Sequence, residues 1–204
     1  MQRPPTKPST IWLNLVTYAR TIDNKKIPLT AACEWLEEVP HYVGGIKTAG
    51  KKAGDTFKVY LYNNSEYGRE FLGDMLISII SSPDGKPMPW ELKSSIYRDK
   101  NNVIAPYAEI VDMHNESKRH HPEGYKDIGA ALHECAFRLS LMHGCEGRIL
   151  LQAVRNTHYF HYKSGFRIPQ DQDYYYKLAD AVVTANGNML TGDLGSQNLY
   201  LPRN

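Results

Sequence analysis

The spacing of apolar residues predicts different elements in successive parts of the chain. Ile11–Val16 has the short apolar run of a strand. Leu29–Val39 predicts a helix, because its apolar residues recur at intervals of three and four. Lys47–Asp55 is rich in Gly and Lys, which favours a loop.

In the middle of the chain the apolar segments become short and strand-like. Phe57–Tyr62, Leu72–Ile80 and Tyr107–Met113 are separated by clusters of Asn, Gly, Pro and Asp. These segments predict a small antiparallel meander. The polar stretch between the second and third strands predicts a loop, in which Trp90–Ile96 is compatible with a short helix.

An amphipathic helix gives the clearest periodic signal. From Asp127 to Met142, apolar residues lie at intervals of three and four on one stripe. Gly144 stands where a left-handed C-cap would end this helix. Ile149–Leu151 then has the apolar run of a buried strand.

The last part of the chain continues this alternation. Asn156–Lys163 predicts an aromatic helix, stopped by a Ser-Gly pair before a strand at Phe166–Ile168. Tyr174–Val183 predicts another helix, and Asn198–Leu201 a last strand. The whole pattern predicts an α/β (α+β) fold, in which helices flank a mixed, mostly antiparallel central sheet.

Composition narrows the class of protein. A chain of 204 residues with 42% hydrophobic and 23% charged residues fits one compact domain, and no apolar run is long enough to cross a bilayer. Ile11–Val16 is too short and too polar for a signal-peptide core. We therefore expect a cytoplasmic protein without a membrane partner.

Net charge and cysteine content add only a few constraints on possible partners and on the state of the thiols. The net charge of +2 gives no footprint for tight nucleic-acid binding, so nucleic acid is disfavoured as a partner without being ruled out. Cys33, Cys135 and Cys145 are odd in number and lack CxxC spacing, so we expect reduced thiols. No metal is expected either, because Phe137 stands where the second histidine of an HExxH motif beginning at His133 would lie.

The segment Asp127-Ile128-Gly129-Ala130-Ala131-Leu132 resembles the strand-to-helix turn of the GNAT superfamily of N-acetyltransferases, of the type G-I-G-S-A-L. In that family the first-turn amides bind the pyrophosphate of CoA. The family pattern is Arg/Gln-x-x-Gly-x-Gly/Ala. Here Asp127 stands at the first glycine position and Gly124 at the Arg/Gln position. The alternative register Lys126-x-x-Gly129-x-Ala131 supplies a cation and both small residues, but it shifts the helix by two residues.

A second segment, running from Asn156 to Phe166, is similar to the family's N-x-x-A-x-x-F-Y-x-K-x-G-F segment. The resemblance implies that Asn156 and Tyr159 line the pantetheine arm of the cofactor. It also implies a general acid at His161, where the family has tyrosine. Tyr162 takes that role if the register slips by one residue.

A third segment, Tyr107-Ala108-Glu109-Ile110-Val111, is similar to the F-A-E-I-V strand of the histone-acetyltransferase branch. The resemblance implies that Glu109 is the general base and that the amide of Met113 binds the thioester carbonyl. On a regularly alternating strand Glu109, Val111 and Met113 share a face, which puts Val111 and Met113 beside the cofactor. The stretch from Asn115 to Lys126 is longer than the corresponding stretch is in the family, and the resemblance therefore implies an inserted loop there.

The resemblance covers roughly Phe57 to Ile168 and implies an acetyl-CoA-dependent N-acetyltransferase that acts on an amine of a protein or small molecule. We expect one domain over residues 1–204. It has an N-terminal strand and helix arm over 1–55, a core with the acetyl-CoA site over 57–168, and a C-terminal helix and strand over 169–204. Two alternatives stay open, a non-catalytic CoA-binding regulatory module and a nucleic-acid-modifying enzyme of the same kind.

Several of these residues also have plain structural interpretations. Glu109 is compatible with a solvated position on an exposed sheet face, and Asn156 with an N-cap. Lys118–His121 is typical of a solvated loop, although it could contact the 3′-phosphate of CoA. Tyr174–Tyr176 has no assigned role.

Overall fold

A computed structural model of the protein describes residues 10–36, 39–43, 46–50, 55–65, 68–80, 105–117, 124–153, 158–167 and 197–200. The elements of these ranges are β1 (Thr10–Arg20), β2 (Lys26–Leu36), β3 (Val39–Val43), β4 (Ile46–Gly50), β5 (Thr56–Ser65), β6 (Gly68–Ile80), β7 (Tyr107–Asn115), α1 (Ile128–Met142), β8 (Ile149–Ala153), α2 (His158–Lys163) and β9 (Gln197–Tyr200).

The described strands build one main sheet and one hairpin. The order in the main sheet is β1-β2-β5-β6-β7-β8-β9, and β3 pairs with β4 in a separate two-stranded sheet. Neighbouring strands are antiparallel except β7 and β8, which are parallel. The predicted mixed, mostly antiparallel α/β fold is confirmed.

The core lies between the sheet and α1. Cross-strand partners point to the same face, so the register defines a helix-side face that packs on α1 and an opposite outer face. The helix-side face carries the buried row Cys33, Val59 and Met75. The apolar stripe of α1 contributes six core residues: Ile128, Ala131, Leu132, Cys135, Ala136 and Leu139. Cys145 after the helix and Ile149 on β8 extend the same core.

Bulges curl the sheet at three positions. In β1 the pairing with β2 is interrupted between Asn14 and Tyr18. The amides of Val16 and Thr17 there donate to the two carboxylate oxygens of Glu134 on α1, at 2.9 and 2.7 Å. One helix carboxylate therefore satisfies the amides that the irregular strand leaves over.

A glycine allows the close approach of β6 and β7. A Cβ atom at Gly73 would lie 2.5 Å from the carbonyl oxygen of His114 and 3.4 Å from Cγ2 of Ile128. Since Asn115 pairs with Gly73, the N-terminus of α1 lies beside the C-terminal end of β7.

Two sequence predictions fail in the described ranges, and a third holds only in part. The predicted helix at Leu29–Val39 is wrong, since Lys26–Leu36 is a strand between β1 and β5. Both faces of that strand are buried around Ala31–Cys33, so its continuous apolar run imitates a helix. β1 and β2 are therefore the first two strands of the main sheet.

The other two predictions concern short segments. The predicted loop at Lys47–Asp55 is wrong over residues 47–50, because β4 (Ile46–Gly50) pairs with β3 (Val39–Val43). Of the strand predicted at Phe166–Ile168, the structure describes two residues: Arg167 forms a β-bridge. The Phe166 amide donates to the carbonyl of His161 at 3.1 Å, which keeps Phe166 in the turn that ends α2.

The remaining predicted strands and helices of the described ranges are confirmed, with ends that differ by a few residues. Gly144 has φ 72°, as expected of a left-handed residue after the helix, and follows the C-cap His143. Other predictions fall outside the described residues, namely Trp90–Ile96, Lys118–His121 and Tyr174–Val183. Neither helix in the described ranges has the length and apolar content that spanning a bilayer requires.

Candidate functional site

A gap opens where β7 and β8 separate. The two parallel strands pair over Ala108–Ile110 and Ile149–Leu151. Beyond Ile110 the described β7–β8 ladder ends, while β7 continues to Asn115 against β6. The gap therefore has β7 on one side and the N-terminal end of α1 at its open end.

A bulge at Val111 marks the start of this gap. Ile77 of β6 faces Ile110, and Leu76 faces Asp112, so Val111 is an extra residue on β7. The bulge also shifts the alternation of faces. Met113 lies on the helix-side face opposite Met75, whereas Glu109 lies on the outer face opposite Ser78. The expectation that Glu109, Val111 and Met113 share a face is therefore wrong, because the extra residue reverses the alternation between them.

Glu109 lies in the paired part of the β7–β8 ladder, one residue before the pairing ends at Ile110. Its neighbours are Ser78 on β6 and Leu150 on β8. The side chain is half-buried and its Oε2 atom is buried. The carboxylate is thus partly buried rather than solvated on an open face.

The backbone amide of Met113 is directed into the gap. Glu116 donates its amide to Leu72, at 2.9 Å, and this bond fixes which residues of β7 bond to β6. Alternate residues of an antiparallel strand bond to the same neighbouring strand, so His114 and Asp112 bond to β6 as Glu116 does. The amide of Met113, which lies between them, therefore points away from β6. That amide donates to Oδ1 of Asp112 at 2.9 Å.

The start of α1 carries a charge pair that the sequence does not show. Asp127 has φ 70° and makes no side-chain capping bond to the helix. Its carboxylate instead binds Arg20 of β1, with Nη2 donating to Oδ1 at 3.0 Å and Nε donating to Oδ2. The hydrogen bond from Arg20 holds the pKa of Asp127 below its ordinary value. The negative charge beside the first turn is therefore neutralised.

The backbone around this pair is tied to β1. The amides and carbonyls of Arg20 and Lys126 exchange two hydrogen bonds, at 2.9 and 3.2 Å, and Lys126 is exposed. In the first turn, Gly129 and Ala130 are partly exposed, whereas Ile128 and Ala131 are core residues. Because Ile128 and Ala131 have their side chains in the core, they can meet a ligand only through their backbone groups.

Gly129 has a packing role. A Cβ atom there would lie 2.3 Å from Cζ of Phe160 on α2. The Phe160 ring in turn stacks on His133, with ring centroids 5.1 Å apart. A side chain at residue 129 would therefore displace the Phe160 ring from its present contact with α1.

His161 lies in the interior beside α1. Its Nδ1 is 3.3 Å from Nε2 of His133, and both rings are buried against Phe166. Burial, followed by the neighbouring His161, lowers the pKa of His133 to about 3. His133 is therefore neutral, and one of the two rings donates its proton to the other.

The structure does not describe the side chains of three predicted site residues. Asn156 lies outside the described residues. Tyr159 and Tyr162 belong to α2, and the structure describes their backbone only. Among the described residues, no group of three or more His, Cys, Asp or Glu side chains could hold a metal ion.

Sequence reasoning missed Arg20, Phe160 and the polar row beyond the bulge. Arg20 is 107 residues from Asp127, so no local pattern connects them. Asp112 lies in the predicted strand Tyr107–Met113 and His114 follows it directly, so extending the alternation by one residue would have placed the two on one face.

β7, α1 and β8 therefore form a parallel strand–helix–strand unit whose described strand pairing ends at Ile110. No protein-family model matches the chain, and no curated protein sequence does. A solved structure of Chaetomium thermophilum Naa20 in complex with a bisubstrate analogue is similar to the chain at 16% identity and a TM-score of 0.35. The match covers 70% of this chain and 65% of the Naa20 chain, slightly less than two thirds of its length. Similarity of this extent does not define a function.

Proposed function

We propose that the protein is an acetyl-CoA-dependent N-acetyltransferase that acts on an amine of a protein or small molecule. The observation that carries the proposal is the gap between β7 and β8. It has Glu109 at its closed end, the Met113 amide along its side and the start of α1 at its mouth. These are the positions in which a base, a carbonyl-binding amide and a phosphate-binding helix end are useful together.

The start of α1 supports a cofactor with phosphates. The positive end of the helix dipole favours anions, and Arg20 removes the opposing charge of Asp127. The exposed Lys126 adds a cation beside the first turn. The pantetheine arm then extends along the gap, and the resemblance assigns Asn156 and Tyr159 to line it.

The reaction needs an uncharged amine. Glu109, directly or through a water molecule, accepts a proton from the ammonium group of the acceptor. The amine nitrogen forms a bond to the thioester carbonyl carbon, and the Met113 amide binds the negative oxygen. The carbon–sulfur bond then breaks, the second proton of the nitrogen passes to water, and the thiolate takes a proton from His161 or Tyr162, which solvent then restores.

The three cysteines take no part. Cys33, Cys135 and Cys145 are buried, and burial raises the pKa of Cys33 to about 12 and that of Cys145 to about 11. Thiols of this kind are poor nucleophiles at neutral pH. Direct attack by the amine therefore needs no enzyme-bound acetyl group.

A non-catalytic CoA-binding module is the second candidate. The contact between the Met113 amide and Asp112 favours it, because the amide that the reaction needs is already bonded. The burial of His161 against His133 also favours it, because it removes one candidate acid from the gap.

One experiment separates the two candidates. Calorimetric titration with acetyl-CoA is followed by thiol release with a panel of amines, for the wild type and Glu109→Gln. Loss of the base lowers the rate by about 10²–10⁴ with little change in acetyl-CoA affinity. Glu34→Gln, which removes an exposed acid of the outer face on β2, is the control and keeps full activity.

The outcomes are distinct. Binding without turnover in the wild type supports the regulatory module. No binding of acetyl-CoA contradicts both candidates.

A further inference from the structure

Beyond the bulge, the outer face of β6 and β7 carries a chain of polar contacts that ends in the gap. Lys58 Nζ donates to Asp74 Oδ1 at 2.7 Å, and the same oxygen is 3.1 Å from His114 Nδ1. His114 Nε2 is 3.3 Å from Asp112 Oδ1. That oxygen accepts the Met113 amide at 2.9 Å.

Asp112 Oδ1 therefore accepts a hydrogen bond from the amide of Met113, which points into the gap. The His114 ring approaches the same oxygen from the outer face. The Asp112 side chain is 56% exposed and that of His114 is 49% exposed, so both have room to move.

The other members of the chain are less exposed. The Asp74 and Lys58 side chains are 19% and 25% exposed. Burial alone would raise the pKa of Asp74, but the hydrogen bonds from Lys58 and His114 outweigh it and keep the pKa below its ordinary value. Asp74 is therefore an ionised anchor that holds the His114 ring in place.

We propose that Asp112 is a positioning residue that covers the Met113 amide until the thioester carbonyl displaces it. A carboxylate accepts a hydrogen bond more strongly than an uncharged carbonyl. Asp112 therefore holds the Met113 amide as long as no acetyl-CoA is bound. When the carbonyl enters, the exposed Asp112 carboxylate turns away from the amide toward solvent on the outer face. The proposal rests on the proposed function, since it assigns the Met113 amide to the donor carbonyl.

The test compares the affinities of acetyl-CoA and free CoA for the wild type and Asp112→Ala, by calorimetry. Free CoA has the same phosphates and no thioester carbonyl. Removing the competing carboxylate is expected to tighten acetyl-CoA binding about tenfold and leave free CoA binding unchanged. Glu34→Ala removes an equal charge from the same cross-strand row, on β2, and is expected to change neither affinity.

A second measurement does not depend on the cofactor. The amide proton of Met113 is expected to shift upfield and to exchange faster in Asp112→Ala, by nuclear magnetic resonance. An unchanged amide resonance overturns the proposal, because Asp112 then does not hold that amide.

The binding outcomes separate this proposal from the proposed function. If the wild type binds acetyl-CoA and Asp112→Ala gains nothing, only the role of Asp112 is overturned. An equal gain for acetyl-CoA and free CoA overturns it too, since it indicates a general charge effect. If neither protein binds acetyl-CoA, the proposed function fails and the role of Asp112 fails with it.

Discussion

The two faces of the sheet at β7 are built for different purposes. The helix-side face presents Ala108 and Ile110 to α1, in a closed apolar core. The outer face presents Glu109, Asp112 and His114, all half-buried or exposed. The extra residue at Val111 keeps this division while the strand bends away from β8, so one irregularity serves both the core and the gap.

Truncating one side chain on each face should have very different effects on the free energy of unfolding. Ile110→Ala removes a buried side chain and leaves a cavity, so it should lower the free energy of unfolding by about 2–4 kcal/mol. Asp112→Ala removes an exposed side chain and should change it by less than about 0.5 kcal/mol. Urea unfolding measures both values. Equal losses would mean that the outer face also carries the fold.

The sequence predicts this division only up to the bulge. The strands near Phe57, Leu72 and Tyr107 and the helix to Met142 are found, because their periodicity is local. The bulge depends on how β7 pairs with β6, so the faces of Met113 and its neighbours are predicted wrongly.

Tertiary context also overrides the local pattern elsewhere. The residues of β2 are apolar on both faces because the strand is internal and covered, and this hides its period of two. Likewise, the contact between Arg20 and Asp127 arises only when β1 lies beside the start of α1. Of the candidate site, the sequence therefore predicts the strand and helix that bear it, but not the contacts between them.

A polar pair inside the helix-side core offers a finer test. His133 is neutral in the folded protein with a pKa of about 3, and its ordinary value is 6.5. As the pH falls below about 6.5, the unfolded chain takes up a proton that the folded protein does not. Stability should therefore fall between pH 6.5 and pH 3, by at most about 1.4 kcal/mol per pH unit.

His133→Gln keeps a hydrogen-bonding partner for His161 and removes this titration. Urea unfolding at several pH values should show a flatter dependence in the variant between pH 6.5 and 4.5, above the ordinary value for Glu134. Phe166→Leu alters packing at the same ring, 4.9 Å away, and should lower stability without changing the slope. The same slope in His133→Gln and the wild type would contradict the assignment.

The smallest effect is expected where the core meets the mouth of the gap, at Arg20 and Asp127. Arg20→Gln exposes the carboxylate of Asp127 to a phosphate at the start of α1, so acetyl-CoA affinity should fall about two- to fivefold. The loss should shrink at high salt, because exposed charges are screened. Asp127→Asn added to Arg20→Gln should restore the affinity, which calorimetry at two salt concentrations measures. If the double variant binds as weakly as Arg20→Gln alone, Arg20 contacts the cofactor itself and does not act through Asp127.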